Sequence, residues 1–176
     1  MGYWGIRARG QYCRHLLAYT GLPWKEKTYT SPPSWFEKDK KNLGMLFPNL
    51  PYIVDGNYKI SESLAIMKYI ANKSGKKELI GKDLKDQAMV DNLIGIFNDV
   101  LSAIAELFFS ETFADSLPLT VEKIKPKIEL VNKFYGEKEF ALGYITIVDF
   151  LFAELSYYIR EVSKELYEKC PSWDRV

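Results

Sequence analysis

The sequence predicts a small α/β domain followed by an all-helical domain. Three observations carry this. In the first seventy or so residues the hydrophobic period alternates between helical and strand-like spacing, giving the order α-β-α-β-β-α. After Gly81 every apolar pattern is helical. Between the two lies the small, charged stretch Ser74-Gly75-Lys76-Lys77, which reads as a linker and places the domains at 1–74 and 82–176.

Each element has its own signal. Gly2 to Ile6 is a short strand stump. Tyr12, Cys13, Leu16, Leu17 and Tyr19 recur at helical spacing, and Gly21-Leu22-Pro23 ends that helix. Trp24 to Thr30 is rich in Thr and aromatics and reads as a strand. Two prolines make Ser31-Pro32-Pro33-Ser34 a loop. Trp35 to Leu43 is a short exposed helix ending near Gly44. Leu50–Val54 and Tyr58–Ile60 flank Asp55-Gly56-Asn57, a hairpin signal because the turn requires a positive φ. Ser63 to Ala71 is a helix. In the second domain Leu93, Ile94, Phe97, Val100, Leu101, Ile104, Leu107 and Phe108 form one apolar stripe, and Leu117-Pro118-Leu119-Thr120 is expected to break it. A helix is expected from Val121 to about Tyr135, stopped by Gly136. Thr146-Ile-Val-Asp149 has the spacing of a capping box opening the helix Phe150 to about Ile159.

Composition narrows the function. The 176 residues are 47% hydrophobic and 27% charged, the balance of a soluble globular protein. Lys and Arg total 24 against 23 Asp and Glu, so no basic excess is available for nucleic acid. Two cysteines, Cys13 and Cys170, and the single His15 form no zinc-ligand spacing, and no metal is expected. No apolar run approaches the ~20 residues of a membrane span and no signal segment follows Met1, so a cytoplasmic protein is expected.

Three segments could carry chemistry. Gly2-Tyr3-Trp4-Gly5-Ile6-Arg7 stands where a strand hands over to a helix, the sheet end at which α/β folds expose functional groups. In Phe47-Pro48-Asn49-Leu50-Pro51-Tyr52 a proline directly before a strand fits a cis-proline turn, which would leave the Leu50 backbone free to pair with an extended ligand. Ile60-Ser61-Glu62-Ser63-Leu64 runs a strand into a helix N-terminus with two serines and an acid, a setting that binds a carboxylate. Singly, Tyr3 could be a core edge, Pro51 a rigid loop and Ser61 an N-cap.

Together with Arg14, Leu16-Leu17, Tyr19-Thr20, Lys59-Ile60, Ser63-x-Ala-Ile and Ile145-Thr-x-Val-Asp-Phe150, these segments resemble the cytosolic glutathione transferases, nearest the mu class, over almost the whole chain. The resemblance implies a thioredoxin-like N-terminal domain that binds glutathione as co-substrate, and a helical domain that supplies most of a pocket for hydrophobic electrophiles. It implies that the Tyr3 hydroxyl holds the glutathione thiolate and that Trp4 lies beside the glycine end. Lys40 would meet the glycyl carboxylate, accompanied by Trp35 or Phe36. Asn49, Leu50 and Pro51 would serve the cysteinyl unit, Glu62 and Ser63 the γ-glutamyl group, and Asp99 would reach that group from a partner subunit. Phe109 falls where mu enzymes often place a tyrosine beside the electrophile. Phe47 resembles the aromatic key of a homodimer. Detoxification is the implied role.

The resemblance also leads us to expect both chain ends to be short. Met1 stands directly before Gly2, where mu enzymes have further apolar residues. The chain stops at Val176, soon after Pro171, where the family continues through another helix. The alternative to an active transferase is a catalytically silent binding or assembly module with the same fold.

Overall fold

The computed structural model describes residues 1–170 and Trp173. The expectation attached to Pro171 and to the last three residues lies outside them. The chain divides into two compact units, Met1–Lys77 and the part from Glu78 onward.

The first unit is built on a four-stranded sheet in the order β2-β1-β3-β4. β1 spans Gly2–Trp4, β2 Lys27–Tyr29, β3 Tyr52–Asp55 and β4 Tyr58–Ser61. β1 pairs with β2 in parallel and with β3 antiparallel, so it is interior to the sheet. β2 is an edge strand beside β1, and its pairing ends where β1 ends; the strand is therefore three residues rather than the Trp24–Thr30 expected. β3 and β4 are joined by the Gly56-Asn57 turn, with Asp55 opposite Tyr58. Of these two turn residues only Gly56 has a positive φ (57°), the pattern of a type II′ turn, which suits the right-handed strand twist.

Strand alternation divides the side chains. Gly2 faces Tyr52 and Trp4 faces Tyr29 in register, so these four share one side of the sheet. A Cβ on Gly2 would sit 2.3 Å from the Tyr52 ring, which explains the glycine. Trp35 covers this side, stacked on Tyr52 at 5.9 Å and edge-on to Tyr29 at 5.4 Å. Tyr3 points to the other side, toward α1 (Ala8–Thr20). α1 packs on α3 (Ser63–Lys73), which also contacts β3 and β4.

The helix expected at Trp35–Leu43 is wound in two ways. Ser34–Asp39 is a π-helical turn, with the Lys40 N–H donating to the Trp35 carbonyl, and α2 (Lys40–Asn42) continues it.

The second unit contains α4 (Leu84–Phe108), α5 (Phe113–Tyr135), α6 (Ile147–Val162) and α7 (Lys164–Glu168). By length and composition alone α4 could cross a membrane. Its apolar stripe, Val90, Leu93, Ile94, Phe97, Val100, Ile104 and Leu107, is instead buried, and α4 packs on α5 and α6. A column of rings fills the centre: Phe152 stacks on Tyr135 at 3.9 Å and on Trp173 at 4.5 Å, with Phe97 at 6.0 Å.

One expectation is corrected here. The interruption falls at 109–112, not at Leu117–Thr120, and α5 runs through both Pro118 and Pro126. A proline inside a helix costs ~3 kcal/mol. Burial of Ile124, Ile128, Val131 and Tyr135 along one face of α5 supplies the opposing packing.

Candidate functional site

The strand order and directions bring the candidate segments to one end of the sheet. β3 begins at Tyr52, opposite Gly2 of the antiparallel β1. The Leu50–Pro51 segment before it therefore lies at the end of the sheet toward which Tyr3 and Trp4 lead, and Tyr3 and Leu50 share one buried cluster. Tyr52 is also opposite Ser61, the last residue of the antiparallel β4, so Glu62 and Ser63 follow at that same end, where the Asn49 amide reaches Glu62. The three segments singled out in the sequence therefore lie side by side, where β1 and β4 end and β3 begins.

Tyr3 sits in the middle of β1, with its ring passing beneath α1 at Gly10. A Cβ on Gly10 would approach Tyr3 Cδ1 to 2.2 Å, so glycine is what lets the helix lie this close. Arg14, one turn further along α1, has its guanidinium carbon 5.7 Å from the Tyr3 ring centre. Arg14 is itself fixed by Glu26 (Nη2–Oε1 2.6 Å, Nε–Oε2 3.1 Å) and donates to the carbonyls of Trp4 (3.1 Å) and Ile6 (2.8 Å). A forked cation thus holds the β1–α1 turn from the helix side, and a lysine could not reproduce it.

The Leu50–Pro51 bond is cis. The Leu50 N–H is occupied, however: it donates to Asn49 Oδ1 at 2.9 Å. The same Asn49 amide donates through Nδ2 to Glu62 Oε1 at 3.1 Å. The expectation of a free Leu50 backbone is corrected on this point. An extended ligand pairing with the Leu50 N–H would take the place of the Asn49 oxygen. Glu62 has φ 69°, one of two non-glycine residues with positive φ among the described residues, and it precedes the first turn of α3. Strain of this kind gathers at functional sites. Ser63, the first residue of α3, is buried, and its hydroxyl lies 2.8 Å from that of Tyr12.

A second cluster lies beyond Trp4. The Phe36 ring is 6.1 Å from that of Trp4, and Lys40 Nζ is 5.5 Å from the Phe36 ring centre. Phe36 is 50% exposed, whereas Trp35 is 2% exposed and belongs to the core with Tyr29 and Tyr52. The structure thus places Phe36, not Trp35, with Trp4 and Lys40. Below them Tyr29 donates to Asp39 Oδ2 at 2.5 Å and bonds the Tyr52 hydroxyl at 2.9 Å, while Lys27 pairs with the same carboxylate. The Lys27 and Tyr29 hydrogen bonds hold the Asp39 carboxyl below its ordinary value.

The three further site candidates are Phe47, Asp99 and Phe109. Phe47 is 76% exposed, and its carbonyl accepts from Ser61 Oγ at 2.6 Å. In the second unit, Asp99 on α4 pairs with Lys127 of α5, and Phe109 follows the end of α4 with 86% exposure.

Sequence reasoning missed Tyr12, 51 residues before its partner Ser63, and the Arg14–Glu26 pair. For Tyr12 the one available signal was a polar atom at a position whose helical spacing puts it in the core.

Comparison with known proteins agrees with this geometry. The glutathione S-transferase N-terminal domain profile matches residues 1–72. "Glutathione S-transferase 2" of Gallus gallus is 33% identical over 97% of this chain and 78% of its own length. "Glutathione S-transferase Mu 4" of Mus musculus and "Glutathione S-transferase Mu 2" of Homo sapiens are each 37% identical over 86% of this chain and 71% of their own. Among solved structures, the glutathione S-transferase Blo t 8 superposes with a TM-score of 0.86 at 26% identity, covering 98% of this chain and 83% of that one. A rat hPGDS complexed with a quinoline shares the fold at a TM-score of 0.83 and 21% identity, covering 99% and 86%. The chain belongs to the glutathione S-transferase family. Its mammalian relatives named here are of the mu class.

Proposed function

We propose that this chain joins the thiolate of glutathione to hydrophobic electrophiles. The observation that supports the reading is that the end of β1 carrying Tyr3, the cis Leu50–Pro51 turn before β3 and the α3 start at Ser63 after β4 lie at one end of the sheet. A tripeptide has three recognisable parts, and each finds a fitting group. The γ-glutamyl carboxylate takes Ser63 and the N-terminus of α3. Its ammonium takes the Glu62 carboxylate, which Asn49 already orients. The cysteinyl backbone pairs with Leu50 beside Pro51, displacing the Asn49 oxygen. The glycyl end lies along Trp4 and Phe36, with Lys40 on its carboxylate.

The chemistry is that of a thiol made nucleophilic. Free thiols titrate near ~8.5, so little thiolate exists at neutral pH. A hydrogen bond donated to the sulfur by the Tyr3 hydroxyl favours the charged form, at about 1.4 kcal/mol for each unit of pKa. The thiolate then attacks the electrophilic carbon, and the leaving group departs with the bonding electrons.

The finer expectations belong to the same reading. A homodimer with Phe47 as anchor agrees with that ring's exposure and with Leu46 exposed beside it. Asp99 of a partner subunit would reach the γ-glutamyl ammonium, sharing its carboxylate with Lys127. Phe109 offers the electrophile an apolar surface without a hydroxyl. Free Cys13 and Cys170 agree with the reducing cytoplasm, where detoxification by glutathione operates. The test is a conjugation assay of purified protein with glutathione and an aryl halide. Turnover well above the uncatalysed rate is expected. Glutathione binding without turnover toward a panel of electrophiles would instead support a silent binding module.

A further inference from the structure

Ser63 is gripped from α1 at two points. Its hydroxyl lies 2.8 Å from the Tyr12 hydroxyl, and its carbonyl accepts from Cys13 Sγ at 3.6 Å. All three residues are buried, Tyr12 to 1% exposure. Each hydroxyl has one proton, so the pair admits two arrangements. If Ser63 donates to Tyr12, its proton is spent inside the protein. If Tyr12 donates to Ser63, the Ser63 proton is free for an acceptor in front of α3. An anion at that helix start selects the second arrangement, because an anion only accepts.

The surroundings favour Tyr12 as the donor. Burial raises its phenol far above the ordinary value, so it stays protonated across the physiological range. A phenol is also more acidic than an aliphatic alcohol, so Tyr12 is the better donor of the two hydroxyls. We propose that Tyr12 is a positioning residue: its O–H donates to Ser63 Oγ and thereby turns the Ser63 proton toward the γ-glutamyl carboxylate. The proposal rests on the glutathione reading above. Tyr12 touches no reacting atom, so it acts on glutathione affinity and not on the thiolate.

The test uses Tyr12→Phe, which removes one oxygen and keeps the ring that fills the core, together with Ser63→Ala and the double variant. Glutathione binding is measured by calorimetry, alongside that of an analogue whose γ-glutamyl carboxylate is replaced by hydrogen. One hydrogen bond of this kind is worth about 3–10-fold in affinity. Tyr12→Phe is therefore expected to weaken glutathione about 3–10-fold, to leave the analogue's affinity unchanged, and to add nothing in the Ser63→Ala background. KM for glutathione should rise accordingly while kcat at saturation stays within about twofold, and the thiolate absorbance of bound glutathione should titrate at the wild-type pH. Unchanged glutathione affinity, equal losses for glutathione and the analogue, or additive losses with Ser63→Ala would each overturn the proposal. A wild type that binds no glutathione would remove the functional reading and this proposal together. A wild type that binds it normally beside an unaffected Tyr12→Phe would remove this proposal alone.

Discussion

His15, the single histidine, shows how one residue's surroundings become a solution property. Its ring lies 2.9 Å from the Gln11 amide nitrogen, and burial first, then the Arg7 and Arg14 cations, hold its pKa below the ordinary 6.5. In the unfolded chain the imidazole takes up a proton near 6.5, while in the folded chain it does so only at lower pH. The unfolded state therefore binds more protons between those values, and stability falls as pH drops through that window. Imidazole resonances should titrate below 6.5, and His15→Gln should lose less stability than wild type between pH 7.5 and 5.5. A titration at or above 6.5 would contradict the account. At this scale the cis turn at Pro51 and the helix start at Ser63 were legible from adjacent residues. The roles proposed for Tyr3, Pro51 and Ser63 came only from the three segments taken together and from the family resemblance. The choice between Trp35 and Phe36 was not. The π-helical turn, with its bond from Lys40 N–H to Trp35 O, departs from the 3.6-residue period by which a face is read. The Tyr12–Ser63 pair depends on α1 meeting α3, which no local pattern reports.

Among the elements, α6 is anchored at its start by the Asp149 side chain. Asp149 accepts at Oδ2 from the Thr146 N–H (2.7 Å) and hydroxyl (3.0 Å), and at Oδ1 from the Ala141 N–H (2.8 Å) and the Tyr135 hydroxyl (3.3 Å). It closes the capping box and also ties the loop before α6 to the end of α5. Asp149→Ala leaves two buried backbone N–H groups without this acceptor, at about 1–3 kcal/mol each. A loss of about 2–5 kcal/mol is expected in urea denaturation, with Asp149→Asn, which keeps one acceptor oxygen, losing less. Wild-type stability in Asp149→Ala would contradict the assignment. The box was legible because Thr-x-x-Asp is a local motif before an apolar run. The start of α5 was not legible. Pro118 carries the strongest breaking signal in that stretch, yet the buried residues that hold α5 together lie after it. The short β2 was misread for a related reason: the length of an edge strand follows its partner, and β1 offers it three register positions.

At the scale of the whole molecule the chain belongs to the glutathione S-transferases, and the proposal is that it acts as a dimer. Phe47 and Leu46 are exposed large apolar side chains on the first unit, and burying such a pair against a second copy is the natural use of them. Sedimentation of Phe47→Ser should show monomers where the wild type shows dimers, and an unshifted dimer would remove the aromatic key. The fold class was legible because the hydrophobic period changes from mixed to helical near the linker. Electrophile choice was not, since it depends on the shape of an apolar pocket rather than on a motif. The central claim is that Tyr3 turns a bound thiol into a thiolate. Its most direct test is the pH titration of glutathione thiolate absorbance on the wild type and on Tyr3→Phe, with binding and turnover followed on the same samples. The account predicts that glutathione still binds the variant, that its thiol titrates close to the free value, and that conjugation falls about 10²–10³-fold. A variant whose bound thiol titrates as in the wild type, with turnover unchanged, would contradict it.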